Sequence, residues 1–160
     1  MSLPLRDRAV VPDVGTAPER ASAAAVTRRV GALDVGLLAL RLFAGLSLAF
    51  AHGINKLPPT PRFVAGVVEM GFPAPQLFAW AAGIAEVGGG LLLVVGLLTR
   101  PAAFLILVVM CVAAFIRQAG DPYVEIEPAL LFGAVALCFL IGGAGRLSLD
   151  AVFRRRSANR

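Results

Sequence analysis

The stretch LDVGLLALRLFAGLSLAFA at residues 33–51 decides the fold, because it is long and almost entirely apolar. A helix needs about 20 mostly apolar residues to cross a hydrocarbon core about 30 Å thick. Similar runs follow at residues 77–98, 102–116 and 126–141. We therefore predict an all-α membrane protein, a bundle of four transmembrane helices.

The composition limits the class of protein. Hydrophobic residues make up 58% of the 160 residues and charged residues 16%, against averages of roughly 45–50% and about 25% in soluble proteins. This length allows one domain, which leaves no room for a separate soluble catalytic unit. The formal net charge is +5, but most basic residues lie in the tails, where they suit anionic lipid headgroups. We expect membrane lipids as partners and no nucleic acid.

The regions outside the apolar runs have different characters. Residues 1–30 have no sustained apolar period, which predicts a disordered cytoplasmic tail before a membrane domain at residues 31–150. Thr60, followed by a proline, predicts the start of a short interfacial helix that ends near Gly71. Residues 151–160 are predicted to form a basic cytoplasmic tail.

The first apolar segment has an alternative interpretation as a cleaved export signal. Arg28 and Arg29 precede it, and it ends in an Ala-x-Ala pattern. The segment is, however, longer than a usual signal core and carries Arg41 in its interior. We expect it to be retained as a transmembrane helix.

The basic residues are distributed unequally about the four crossings. Both tails and the loop at Arg100 fall on one side and hold eleven of the fifteen Lys and Arg residues. The opposite side holds only Lys56, Arg62 and Arg117. The positive-inside rule then predicts a multi-pass protein of the cell membrane with both termini in the cytoplasm.

Two charged residues lie inside the apolar segments, Arg41 in the first and Glu86 in the second. A charge in the bilayer is costly unless it has a partner or a wet cavity. Counted at about 1.5 Å per residue, both side chains fall near mid-membrane. We therefore predict an ion pair between them, with either a functional role or the role of a structural clamp between helices.

A polar vestibule is predicted beyond this pair. Helical spacing places Arg41, Gly45, Leu48 and His52 on one face. Lys56 follows one turn later, and the same side of the membrane receives Glu69, Glu125 and Glu127. We interpret Arg41, Glu86 and His52 as candidate catalytic residues and Lys56 and Glu127 as candidate binding residues. His52 has the alternative interpretation of an ordinary interfacial residue.

Other residues offer less chemistry. Cys111 and Cys138 fall at similar depth, as either a thiol pair or two small packing residues. One histidine and two apolar cysteines are too few ligands for a metal site, so no metal is expected. Ala79, Gly83 and Gly90 form a stripe of small residues that favours close helix packing.

Several stretches together resemble the DoxX-like membrane protein family. They are Arg41-Leu42, HGINKL at 52–57, MGFPAP at 70–75, AEVGGGLLLVVGLLTRPAA at 85–103, Glu127, and GGAGRLSLD at 142–150. The resemblance implies a four-helix bundle linked to sulfur and redox metabolism. One kind of member resembles a subunit of thiosulfate:quinone oxidoreductase, and actinobacterial members are associated with a membrane complex containing a sulfurtransferase and a superoxide dismutase. Leu147 stands where the family often has an aromatic residue.

Two functional hypotheses follow. In the first, the chain is the membrane subunit of a redox assembly that links thiol or thiosulfate oxidation to the quinone pool. Arg41, His52 and Glu86 would then orient and protonate a quinone, the one cofactor this hypothesis requires. In the second, the chain is a non-catalytic membrane anchor or scaffold, or a small-solute transporter. The sequence shows no internal duplication of the kind that favours a transporter.

Overall fold

The structure is a computed structural model that describes residues 30–158. Its helices are α1 (Ala32–Leu46), α2 (Pro61–Glu69), α3 (Pro75–Val95), α4 (Thr99–Val112), α5 (Tyr123–Gly142) and α6 (Leu149–Ala158). α1 continues through a π turn, Ser47–Gly53, and a 3-10 turn, Ile54–Lys56. α4 continues through a second π turn, Ala113–Arg117. The tail predicted at residues 1–30 lies almost wholly outside the described residues.

Four of these helical spans are long and apolar enough to cross a membrane, namely Ala32–Lys56, Pro75–Val95, Thr99–Arg117 and Tyr123–Gly142. This confirms the prediction of an all-α bundle with four membrane-spanning helices. The third and fourth spans are longer than predicted. The third gains a turn because Pro101, expected to belong to a loop, lies in the first turn of α4, where a proline is tolerated.

The short helix between the first two spans is confirmed as α2. The Oγ1 atom of Thr60 accepts a hydrogen bond from the backbone N–H of Phe63 at 3.3 Å, and Pro61 occupies the first helical position. α3 ends earlier than predicted, at Val95, because Gly96 adopts a left-handed conformation with φ of 67°. A glycine in this conformation is a common end for a helix.

α1 packs closely on α3 along the stripe of small residues. A Cβ atom added to Gly45 would lie 2.5 Å from the carbonyl oxygen of Gly90, so the two backbones are nearly in contact. Ala79 and Gly83 of the same stripe are also buried. The predicted close approach of helices is therefore present, and it fixes the end of α1, near the middle of the first span, against α3 at Gly90.

The connections define two ends of the bundle. The Arg41 end contains the start of α1, the α3–α4 turn and residues 143–148. The Lys56 end contains the end of the first span, α2, the start of α3 and the loop between α4 and α5. The segment predicted as a basic tail is helical as α6, and its N–H at Asp150 donates to the carbonyl of Gly96 at 2.9 Å, which attaches α6 to the Arg41 end.

Candidate functional site

Arg41 is buried at the end of the bundle named after it, with 1% of its surface exposed. Its Nη1 donates to the carbonyl of Ala144 at 2.8 Å and its Nη2 to the carbonyl of Leu147 at 2.7 Å. Its Nε has no hydrogen-bond partner within residues 30–158. The prediction of an ion pair between Arg41 and Glu86 is therefore wrong.

The direction of the helices explains this correction. In an α-helix each Cα–Cβ bond is tilted toward the N-terminus of its helix. Consecutive spans run in opposite directions, so the side chain of Arg41 on α1 points toward the Arg41 end, whereas that of Glu86 on α3 points toward the Lys56 end. Similar depth in the membrane does not bring two side chains together when their helices are antiparallel.

Two carboxylates reinforce the Arg41 end. Asp150 accepts hydrogen bonds from the backbone N–H groups of Leu98 and Thr99 at 2.9 and 3.0 Å, at the N-terminus of α4. Asp34 accepts one from the N–H of Arg146 at 3.0 Å. Burial acts to raise the pKa of Asp150, but the hydrogen bonds from Thr99 and Leu98 outweigh it and hold the pKa below its usual value. The GGAGRLSLD stretch thus closes this end of the bundle.

The partner of Glu86 is Lys56. The Nζ of Lys56 lies 2.5 Å from Glu86 Oε1, and Glu86 has no exposed surface, whereas the side chain of Lys56 is 31% exposed. The second carboxylate oxygen, Oε2, is buried without a hydrogen-bond partner in the described part of the chain. A buried polar atom in this state is costly, so it marks a place where a proton or a ligand would be stabilised.

Glu86 lines two adjoining cavities that share part of their walls, and these form the apolar wing and the polar wing of one cleft. The apolar wing has a volume of about 340 Å³ and lies between α2, α3 and α4, with Val67, Met70 and Phe78 in its lining. The polar wing has a volume of about 470 Å³ and lies between the first, third and fourth spans. Both volumes are in the range of about 300–1,000 Å³ that is typical of ligand pockets. The residues common to both wings are Lys56, Phe63, Glu86, Ala113 and Arg117.

The polar wing contains part of the predicted vestibule. His52, Lys56 and Glu125 line it, and the ring of His52 contacts that of Phe132 edge to face at 5.3 Å between centroids. Glu69 and Glu127 are not among the residues that line either wing. Glu127 lies two residues after Glu125, which is about 200° around the helix and turns it away from the cleft.

Both π turns contribute residues to the cleft. Ser47–Gly53 supplies Leu48 and His52, and Ala113–Arg117 supplies Ala113 and Arg117. Single π turns within α-helices are frequent at functional sites. Arg117 was not among the candidate site residues predicted from the sequence, although it lines both wings. The available signal was that Arg117 directly follows the third apolar run, at the same side of the membrane as Lys56.

The remaining candidates do not form a site. Cys111 and Cys138 are free thiols exposed on the outside of the bundle. Within residues 30–158, no three His, Cys, Asp or Glu side chains lie close enough together to hold a metal ion. The chemistry of the described residues is therefore concentrated in the cleft around Glu86.

Comparison with known proteins identifies relatives. The family model for DoxX matches residues 36–119, more than half of the chain. The chain is 38% identical over 82 residues to an uncharacterized protein of Haemophilus influenzae, a match that covers 47% of this chain and 61% of that protein. No solved structure matches. The family match contains the charged residues shared by the two wings, and it ends before GGAGRLSLD.

Proposed function

The chain belongs to the DoxX family and is an integral membrane protein, and on that premise we propose that it is the membrane subunit of a redox assembly. In this proposal the assembly links thiol or thiosulfate oxidation to the quinone pool. The observation that carries it is Glu86, a fully buried carboxylate between the apolar and the polar wing, with one oxygen bonded to Lys56 and the other without a partner among residues 30–158. The described residues thus combine a proton-binding group with a compartment suited to a lipid-soluble molecule.

The apolar wing suits the ring of a quinone. Phe63 and Phe78 offer aromatic surface, and the charged groups that line this wing are Lys56, Glu86 and Arg117. A bound quinone would accept two electrons and two protons, the electrons coming from the partner that oxidises the thiol or thiosulfate. Lys56 Nζ is suited to donate a hydrogen bond to a carbonyl oxygen, and Glu86 Oε2 to hold a proton beside it.

The other candidate residues take different parts in the proposal. His52 lines the polar wing and is suited to exchange protons with Glu86 through water. Arg41 is assigned to the structure of the opposite end, because its guanidinium bonds to backbone carbonyls there. Glu127 keeps no binding role. The family resemblance suggests a sulfurtransferase or a superoxide dismutase as partners, and of these the sulfurtransferase is the candidate for handling the thiol or thiosulfate that donates the electrons.

Extraction of bound lipids is the direct test. Protein purified from membranes in mild detergent is expected to retain quinone at close to one per chain, and Glu86→Gln and Lys56→Gln are each expected to lose most of it. Glu127→Gln is the matched control, since it removes a carboxylate from the same end outside the cleft. Absence of quinone from wild-type protein, together with redox-inactive partners, would favour the anchor or transporter hypothesis.

His52→Phe tests the role of the polar wing. The substitution keeps an aromatic ring against Phe132, so the melting temperature in detergent is expected to stay unchanged. Quinone-linked activity of the assembly is expected to fall, because the ring no longer exchanges protons. Unchanged activity would confine the site to Lys56 and Glu86.

We also propose that the protein lies in the cell membrane with both termini in the cytoplasm. The support is the excess of Lys and Arg in the two tails and at Arg100, counted from the sequence. Reporter domains fused to either terminus are expected to be active only in the cytoplasm. Protease cleavage of an N-terminal tag from outside intact cells would contradict this orientation.

A further inference from the structure

Glu86 lies at the junction of two compartments of different character. It lines both wings of the cleft, and its Oε2 has no partner among residues 30–158. The apolar wing is lined mainly by aliphatic and aromatic side chains, whereas the polar wing adds Gln118, Asp121 and Glu125 near its mouth. Asp121 belongs to the loop between α4 and α5, so the polar wing opens at the Lys56 end.

The path from Glu86 in the other direction is filled. Toward the Arg41 end, α3 presents Gly90 against α1 and Gly89 against the side chain of Ile106 on α4. Leu93 and Ile106 are at most 1% exposed. Beyond them the Arg41 guanidinium bonds to backbone carbonyls, which leaves close packing rather than a polar route between Glu86 and that end.

We infer that the polar wing is a water-filled proton channel that connects Glu86 to the Lys56 end alone, while the apolar wing holds the lipid-soluble ligand. The inference rests on the proposed function and deepens it, because it states where the protons reach the site. Among residues 30–158, Glu86 is then the one acidic group that lines both the channel and the wing that holds the ligand. Protons at the site exchange with the compartment at the Lys56 end and not with the opposite compartment.

The groups that face the channel support transfer by way of Lys56. They are His52 and Lys56 from the first span, Arg117 from the third, Asp121 from the loop and Glu125 from α5. A proton that binds Glu86 removes the counter-charge of Lys56. Because the Lys56 side chain is 31% exposed, it can turn toward the carboxylates of Asp121 and Glu125, which frees Glu86 to pass its proton to the apolar wing. No bond other than that to the transferred proton is made or broken.

The test uses the whole protein in vesicles without quinone, with its orientation assayed by protease removal of an N-terminal tag. Dicyclohexylcarbodiimide enters membranes and modifies protonated carboxyl groups, and peptide mass spectrometry measures the modification of Glu86. Lowering the pH at the Lys56 end is expected to raise the labelling rate severalfold, since the reagent modifies only protonated carboxyl groups. The same change at the Arg41 end is expected to leave the rate unchanged, and Glu86→Gln removes the label.

A second variant tests the route itself. Asp121→Cys is modified with a bulky water-soluble thiosulfonate, and the modified protein is expected to lose the response to pH at the Lys56 end. Unmodified Asp121→Cys controls for the lost carboxylate, and wild type treated with the reagent controls for Cys111 and Cys138. The inference is overturned if the labelling rate of Glu86 responds to the pH at the Arg41 end. It is also overturned if that rate still responds to the pH at the Lys56 end after Asp121→Cys has been modified. Neither result depends on quinone, so the proposed function stands or falls separately.

Discussion

The buried charges at the two ends of the bundle bond to different kinds of partner. At the Arg41 end the guanidinium donates to two backbone carbonyls, and Asp34 and Asp150 accept from backbone N–H groups. At the Lys56 end the charged side chains bond to each other, and Glu86 Oε2 stays unpartnered in the described part of the chain. Charges that bond to the backbone hold segments together, whereas a half-satisfied side-chain pair beside a cavity is available for ligands and protons.

Substitution of Arg41 is expected to have the largest effect on this contrast. Arg41→Leu leaves the buried carbonyl of Ala144 without its donor, at about 1–3 kcal/mol, and also removes the donor to the half-buried carbonyl of Leu147. The bundle should unfold at a much lower temperature in detergent, and activity should fall only in proportion to the folded fraction. Arg41→Lys, which keeps the charge but not the paired donors, should be intermediate. A melting temperature of Arg41→Leu equal to that of wild type would contradict a structural role for this end.

The contact between α1 and α3 lies between the two ends of the bundle. Substitution there is expected to have the second largest effect on stability. Gly90→Ala places a Cβ 2.7 Å from the carbonyl oxygen of Gly45, whereas Gly88 has no atom within 4 Å of an added Cβ. We expect Gly90→Ala to cost about 1–3 kcal/mol through overpacking. Gly88→Ala is the matched control on the same helix and should be neutral or slightly stabilising. Equal melting temperatures for the two variants would show that the helices do not meet at Gly90.

Double-mutant cycles compare the ends directly. Lys56 and Glu86 are in direct contact, so the substitutions Lys56→Gln and Glu86→Gln should show a coupling energy of roughly 0.5–3 kcal/mol. Arg41 and Glu86 share no bonding partner among residues 30–158, so Arg41→Leu and Glu86→Gln should be additive to within about 0.5 kcal/mol. Chemical unfolding in mixed micelles measures both cycles. A strong coupling energy between Arg41 and Glu86 would contradict the structure and support the ion pair predicted from the sequence.

The smallest expected effect is the pH dependence of the Arg41 end. The pKa of Asp150 is lower in the folded protein than its usual value of about 3.9. Its contribution is therefore fully present above about pH 4 and is lost as the pH falls through the lower folded pKa. Asp150→Asn should lower the melting temperature at pH 7, and the difference from wild type should shrink below about pH 4. A difference in melting temperature that stays constant across this pH range would show that the charge of the Asp150 carboxylate does not stabilise the Arg41 end.

Much of the architecture was determined by the sequence alone. The length and apolarity of the runs fix the number of crossings, since each must span about 30 Å of hydrocarbon. Thr60 and Pro61 specify the start of α2 through local hydrogen bonding, and the glycines of α3 specify where another helix can approach. These features depend on neighbouring residues along the chain, which is why composition and spacing suffice to predict them.

The pairing of the charges was decided by the tertiary structure. Depth along each helix placed Arg41 and Glu86 together, but the antiparallel directions of α1 and α3 turn their side chains toward opposite ends. The π turns that bring His52 and Arg117 to the cleft interrupt the regular 3.6-residue period, and no residue pattern marks them. A helix periodicity gives the face of a residue on its own helix, whereas the partner across the bundle depends on helix direction and on where the turns end.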